Sequence, residues 1–145
     1  MIVEKDIIVD TIPVKLKNGT TINRFTHVRK GAELGKNCMI GQGCYIHGKL
    51  GDNVRVQNGN SIWLGVHIED DVFIGPNCNL TNHHDPSKRD SVFVPDITLI
   101  KKNATLSTNV TIVAPCIIGE NALIGAGSLI LRDIEKDEKV NWLVK

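Results

Sequence analysis

The stretch Leu50–Leu80, LGDNVRVQNGNSIWLGVHIEDDVFIGPNCNL, sets an aliphatic residue at every sixth position: Leu50, Val56, Ile62, Ile68, Ile74 and Leu80. A six-residue period matches neither the 3.6 of a helix nor the strict alternation of a half-buried strand. It fits short strands joined by turns, with three hexads closing one triangular coil. Successive coils then stack about 4.8 Å apart, the spacing of hydrogen-bonded strands.

The period extends in both directions. Downstream, after an interruption, it runs through Ile100, Leu106, Ile112, Ile118, Ile124 and Ile130. Upstream it holds Leu34, Ile40 and Ile46, then resets two residues early at Leu50. Leu16, Ile22 and Val28 carry it back further, so the first coil is expected to begin at Leu16.

The other columns of the hexad agree. One position after the aliphatic stand Gly35, Gly41, Gly51, Gly75, Gly119 and Gly125. Three positions after it stand Asn37, Gly43, Asn53, Gly59, Gly65, Asp71, Asn77, Asn103, Asn109, Asn121 and Gly127. Gly, Asn and Asp tolerate a left-handed backbone, so this column predicts a turn in every repeat. Four positions after it the residues are small and mostly apolar, as a tight inward corner requires. All four cysteines, Cys38, Cys44, Cys78 and Cys116, fall in that column. They form no CxxC pair and read as packing residues.

These columns predict an all-β chain, a single domain over 1–145, folded as a parallel β-helix of about six coils. Such solenoids are stabilised by neighbour stacking on neighbour. An antiparallel sandwich would place turn signals every 8–12 residues, which the hexad contradicts.

Both breaks in the period fall at the corner after the third strand of a coil. A deletion lies between Ile46 and Leu50, and an insertion between Leu80 and Ile100. The insertion, TNHHDPSKRDSVFVPDIT, predicts one extruded loop at about 82–97. It holds adjacent histidines, an Asp85–Pro86 turn signal, and the charges Lys88, Arg89 and Asp90. Loops held out from a rigid scaffold carry function disproportionately. Ala114, one coil on, is small and should leave a cleft beside Asn82. Pro115 stands where the column demands a left-handed residue, which proline cannot be, so that corner must depart from the pattern.

Bulk properties exclude several classes. Of 145 residues, 41% are hydrophobic and 23% charged, with a net charge of +1. That leaves no field to attract nucleic acid, and there is no basic stripe. No apolar run approaches the length of a membrane helix. The N-terminus MIVEKDIIVD lacks the layout of a signal peptide, so a cytoplasmic location is expected.

The hexad columns resemble those of the left-handed β-helix acyltransferases. The segments INRFTHVRKGAELGKNCMIGQG, LGDNVRVQNG, VHIEDDVFIGPN, LTN, TLIKKNATL and IGAGSLILRDI resemble, in that order, the nucleotide-sugar N-acetyltransferases acting on 3-amino sugars. The likeness spans roughly residues 16–134. It implies left-handed coiling, acetyl-CoA as donor, and a homotrimer with active sites between subunits. It also implies an acceptor sugar carried on UDP or dTDP in surface-polysaccharide synthesis. In that family the residue matching Asn82 positions the sugar amine through its side-chain carbonyl, and the amine attacks the thioester directly.

Three features depart from that subfamily. His83 and His84 stand in the loop where galactoside-type acetyltransferases of the same fold place a catalytic base. Sugar O-acetylation through His84 or His83 is therefore the rival. Pro115 alters one corner, and the terminal KVNWLVK lacks the family's Gly–Pro tail.

The remaining candidates follow from chemistry. A tetrahedral oxyanion needs fixed donors, and backbone N–H groups near Ala114 and at Gly125–Ala126–Gly127 are candidates. Lys101, Lys102 and Arg132 are candidates for the CoA phosphates. His27 and Gln42 are candidates for the nucleotide-sugar, against plain turn or ladder roles. Trp63 either stacks on a base or packs between subunits. His47 and His67 read as structural or exposed. No metal is expected. A zinc site of carbonic-anhydrase type needs spaced histidines, whereas His83 and His84 are adjacent and His67 lies a coil lower. A catalytically silent scaffold subunit is the remaining alternative.

Overall fold

The computed structural model describes residues 1–89 and 92–140. It is all-β among them, a left-handed parallel β-helix of about seven turns. Each turn lays one short strand on each of three faces. The first face stacks Glu33–Leu34, Lys49–Leu50, Val66–Ile68, Thr98–Ile100 and Cys116–Ile118. The second stacks Thr21–Ile22, Met39–Ile40, Arg55–Val56, Phe73–Ile74, Thr105–Leu106, Leu123–Ile124 and Lys139–Val140. The third stacks Thr26–Val28, Tyr45–Ile46, Ser61–Ile62, Asn79–Leu80, Thr111–Ile112 and Leu129–Ile130.

The register explains why the period is aliphatic. Leu34, Leu50, Ile68, Ile100 and Ile118 pair in one column, and Ile40, Val56, Ile74, Leu106 and Ile124 in another. These side chains fill the interior, and the isoleucines at 22, 40, 46, 62, 74, 100, 112, 118 and 124 are fully buried. Full burial of each stabilises by roughly 1.5–3 kcal/mol. The four cysteines are buried in the corner column as packing groups. Asn60 takes one such corner place. Its amide donates to Gln57 and Gly75 carbonyls at 2.8 and 2.9 Å and its oxygen accepts from Cys78 N–H at 2.9 Å. No buried polar group is left over there.

The turn column behaves as its composition demands. Asn37, Asn53, Asp71, Asn77, Asn103, Asn109 and Asn121 all have φ between 55° and 61°. The glycine column has a different cause. A Cβ on Gly75 would sit 2.6 Å from the carbonyl carbon of Ser107 in the next coil. Backbone passes over backbone at that point, and only a residue without a side chain fits.

Two expectations need correction. Leu16 does not open a first coil. Residues 1–20 wrap antiparallel over the end of the prism: Ile2 bridges Glu33, Ile7–Val9 pairs Thr26–Val28, and Val14–Lys15 pairs Thr21–Ile22. Leu16 instead enters a tight turn, donating to Thr20 O at 2.8 Å and accepting from Gly19 N–H at 3.0 Å. This wrap pairs the strand edge of all three faces, which a bare solenoid end would leave open. The coil count is about seven rather than six, because Lys139–Val140 adds a rung on Leu123–Ile124. A second two-residue slip makes that possible: Ile134 follows Ile130 after four residues and bridges Ile118. The remaining part of the C-terminal expectation, residues 141–145, and Asp90 of the loop lie outside the described residues.

Candidate active site

The extruded loop leaves the third face after Leu80 and rejoins the first at Thr98. Three hydrogen bonds close its base: Asp96 N–H to Asn82 O at 2.9 Å, Thr98 N–H to Gly65 O at 3.1 Å, and Asn82 Nδ2 to Leu64 O at 3.0 Å. Gly65, at φ +96°, gives the returning chain room: a Cβ there would lie 2.7 Å from Asp96 O. The Asp85–Pro86 turn forms as expected, with the Asp85 side chain accepting from Ser87 N–H at 3.2 Å. The Ser87 hydroxyl, donating to the same oxygen, is the main group that holds the Asp85 carboxyl below its usual value.

Beside the loop, against the outside of the third face, lies a cleft of about 400 Å³. Ser61, Trp63, Asn79, Thr81, Asn82, His83 and Pro86 line it. The expected cleft beside Asn82 exists, but Ala114 is not part of its wall. Ala114 is buried, and its N–H donates to Thr81 Oγ1 at 2.8 Å. The Ala114–Pro115 bond is cis, the local departure that Pro115 required.

Asn82 spends its amide donor on Leu64, so its side-chain oxygen is the group left to accept a bond from a ligand. The two histidines are held differently. His84 donates from its backbone N–H to Asp96 Oδ2 at 2.7 Å, and its Nδ1 stands 2.8 Å from the same oxygen. A carboxylate accepts only, so neutral His84 carries its proton on Nδ1 and presents Nε2 as a base. Those two bonds hold the Asp96 carboxyl below its ordinary value. His83 Nδ1 accepts from Asp85 N–H at 3.0 Å, which puts its proton on Nε2 and makes it a donor. His83 stacks between His84 and Phe93, with ring centroids 5.4 and 5.7 Å away. A second cleft of about 400 Å³ opens on the other side of His83, lined by His84, Lys88, Arg89, Val92, Phe93 and Val94.

The predicted acceptor residues are partly gathered. His27 and Trp63 share the third face, joined by Tyr45: its ring lies 5.7 Å from His27, edge-on, and 5.0 Å from Trp63. Asp6, in the N-terminal wrap, holds His27 Nε2 at 2.8 Å and Arg29 Nε at 3.3 Å. Gln42 stands on the edge between the second and third faces, its N–H bonded to Asn58 Oδ1 at 2.9 Å.

The donor-side candidates occupy all three edges of one chain. Ala114 and Arg132 are on the loop edge, Ala126 and Gly127 on the next, and Lys102 on the third. Gly125 and Gly127 N–H groups donate into the ladder, to Val140 O and Thr108 O at 2.8 and 2.9 Å. Lys102 lines a shallow groove with Glu33, Lys49, Glu69 and Asp70. Arg132 is paired with Glu138 at 2.6 Å, so a phosphate would have to displace that carboxylate. His67 lies on the first face beside Lys49, and burial keeps its protonation unfavourable.

Asp96, Tyr45, Asp6 and Phe93 were not singled out from the sequence. Asp96 follows the loop's second proline, and an acid near a candidate base is a signal. Asp96 stands twelve positions after His84, and no periodicity predicts that contact.

Comparison with known proteins agrees with the fold. Residues 13–48 and 97–132 match the family described as bacterial transferase hexapeptide (six repeats). The chain is 31% identical over 124 residues to the bifunctional protein GlmU of Streptococcus uberis, covering 84% of this chain and 25% of that protein. It is 31% identical over 129 residues to the GlmU of Lawsonia intracellularis, covering 88% of this chain and 26% of the other. The Thermotoga petrophila protein of the same name is 30% identical over 125 residues, covering 82% and 25%. The chain thus spans about a quarter of the length of the curated relatives it matches. The hexad, the solenoid it builds and these matches make the chain a member of the hexapeptide-repeat transferase family.

Proposed function

We propose that this chain transfers the acetyl group of acetyl-CoA to the amino group of a UDP- or dTDP-linked 3-amino sugar, in surface-polysaccharide synthesis. The observation that carries the reading is how Asn82 is held: it lines the cleft and its amide is tied to Leu64 O at 3.0 Å, which leaves its side-chain oxygen to accept from an amine N–H. A sugar amine keeps an appreciable neutral fraction near pH 7, so positioning supplies much of the catalysis. The amine nitrogen attacks the thioester carbonyl, the C–S bond breaks on collapse, and CoA leaves as its thiol. His84 Nε2, in the adjoining cleft across His83, is assigned to take the proton the amine loses. The backbone N–H of Ala126, between the two glycine N–H groups that the ladder uses, is assigned to the oxyanion, and Lys102 and Arg132 to the phosphates of the donor. His27, Gln42 and Trp63 are assigned to the nucleotide-sugar.

The assembly belongs to the same reading. Donor-side candidates dispersed over three edges of one prism converge only if neighbouring copies supply different edges. A homotrimer with sites between subunits does that. A cytoplasmic location accords with a donor such as acetyl-CoA.

A second reading is favoured by one observation. His84 held on Asp96 is the arrangement a hydroxyl acceptor requires, because a sugar hydroxyl is not nucleophilic without a base. The product separates the two. An amide survives mild hydroxylamine and an ester does not. Mass spectrometry should find a product 42 Da heavier (the mass of an added acetyl group, by formula, roughly) that persists after that treatment. Loss of the added mass would establish O-acetylation instead.

A further inference from the structure

We propose that His83, His84 and Asp96 form a binding site for a divalent transition metal, with Zn²⁺ the best fit. The binding stands on geometry alone; its effect on turnover rests on the proposed role of His84. One ring nitrogen from each histidine and one Asp96 oxygen all lie within 4.8 Å of one another. Tetrahedral zinc, with bonds of about 2.0–2.2 Å, spaces its ligands roughly 3.4 Å apart. His84 Nδ1 and Asp96 Oδ2, at 2.8 Å, need only open slightly to admit the ion between them. His83 must come closer, and one ring must turn, because rings stacked at 14° cannot aim both lone pairs at one point. Neither movement disturbs the core: the His84 side chain is 58% exposed.

Two imidazoles and a carboxylate suit Zn²⁺, while Mg²⁺ and Ca²⁺ prefer all-oxygen sets. Three protein ligands leave the fourth position to water. Among the described residues, the other acidic corners offer no comparable set. Asp52 and Asp70 cap backbone amides of the neighbouring coil, and Asp71 continues the asparagine ladder.

The proton balance gives the consequence. The metal replaces the proton on His84 Nδ1. In the neutral ring that proton moves to Nε2, and in the imidazolium it leaves to solvent. Nε2 then carries the remaining proton and no longer serves as a base, so bound Zn²⁺ blocks turnover reversibly.

Titration calorimetry of the metal-free protein with ZnCl₂ alone tests the site, beside acetyl-transfer assays with and without the ion. One Zn²⁺ per chain in the micromolar range or tighter is expected, with no response to MgCl₂. His84→Ala and Asp96→Asn should each weaken binding at least about tenfold, since even outer-shell partners of metal sites are worth that much. An unchanged melting temperature confirms that each variant is folded, and all four cysteines remain in both. No saturable micromolar binding, or binding indifferent to both substitutions, overturns the site. If His84-dependent acetylation proceeds and Zn²⁺ does not bind, only the metal site falls. If Zn²⁺ binds as described and no acceptor is acetylated, the site stands and the catalytic reading falls.

Discussion

Asp96 Oδ2 accepts twice from His84, from the backbone N–H at 2.7 Å and from the ring Nδ1 at 2.8 Å. One carboxylate oxygen thus fixes both where the residue sits and which way its ring faces. Asp96 is fixed in turn, because its own N–H donates to Asn82 O at 2.9 Å. Asn82 and His84, the residues proposed to position the acceptor and to take its proton, are joined through a single aspartate.

Replacing Asp96 with Asn removes the carboxylate charge and adds an amide donor that can face His84 Nδ1, which frees the other tautomer. General-base assistance contributes about 10²–10⁴-fold to rate, so kcat should fall by at least about a hundredfold in Asp96→Asn, with KM for the acceptor less affected. His84→Ala should fall as far, and the double variant little further, since the two act as one unit. Steady-state thiol release measures this. Full kcat in Asp96→Asn would show that the pair is structural.

The loop should also respond to acid with a definite sign. Asp96 is held below its ordinary 3.8 by the side-chain and backbone bonds from His84. A depressed carboxylate contributes stability that is complete above the unfolded value and is lost as pH falls through the folded one. Amide exchange at His84 should therefore be protected and level from pH 7 down to about 5, then rise in relative rate as Asp96 protonates. In Asp96→Asn that acid-dependent loss of protection should disappear. Its persistence would place the responsible carboxylate elsewhere.

How much of this was legible beforehand depended on the period. Ile62, Asn77 and Cys78 were placed by counting to six, because stacking repeats one environment in every coil and each column meets one requirement. Counting failed where stacking fails. Leu16 keeps phase with the hexad but lies in the antiparallel wrap, because no coil precedes it to continue the ladder. The slip at Ile134 is hidden in the sequence because one aliphatic arriving two residues early resembles the end of a repeat. Within the loop, Asn82 and His84 were found by residue chemistry and resemblance. Their partners Leu64 and Asp96 come from another coil and from the loop's far end, and only the folded chain brings them together.

The cysteines should be silent. Burial raises the thiols of Cys38, Cys44 and Cys78, and pushes Cys116 up to about 11. The thiolate is the reactive form, so native protein at pH 8 should show essentially no fast thiol titration, and denatured protein should show all four. A rapidly reacting cysteine in the native state would contradict the corner-packing assignment.

Two neighbouring substitutions separate the two structural columns. Ile74 is fully buried, and Ile74→Ala should cost about 2–5 kcal/mol by cavity formation. Gly75→Ala adds only a methyl group, yet it collides with the Ser107 backbone of the next coil. It should cost about 1–3 kcal/mol as an overpacked contact. Urea denaturation measures both. A neutral Gly75→Ala would mean that the coils stack more loosely there than the geometry requires.

The central claim is that the Asn82 cleft brings an amino sugar to acetyl-CoA, and thiol release tests it most directly. Acetyl-CoA should be consumed with UDP- or dTDP-3-amino sugars, and Asn82→Ala should lower kcat/KM by at least about tenfold through lost positioning. Absence of thiol release with every amino sugar, or turnover on hydroxyl acceptors alone, would contradict the account.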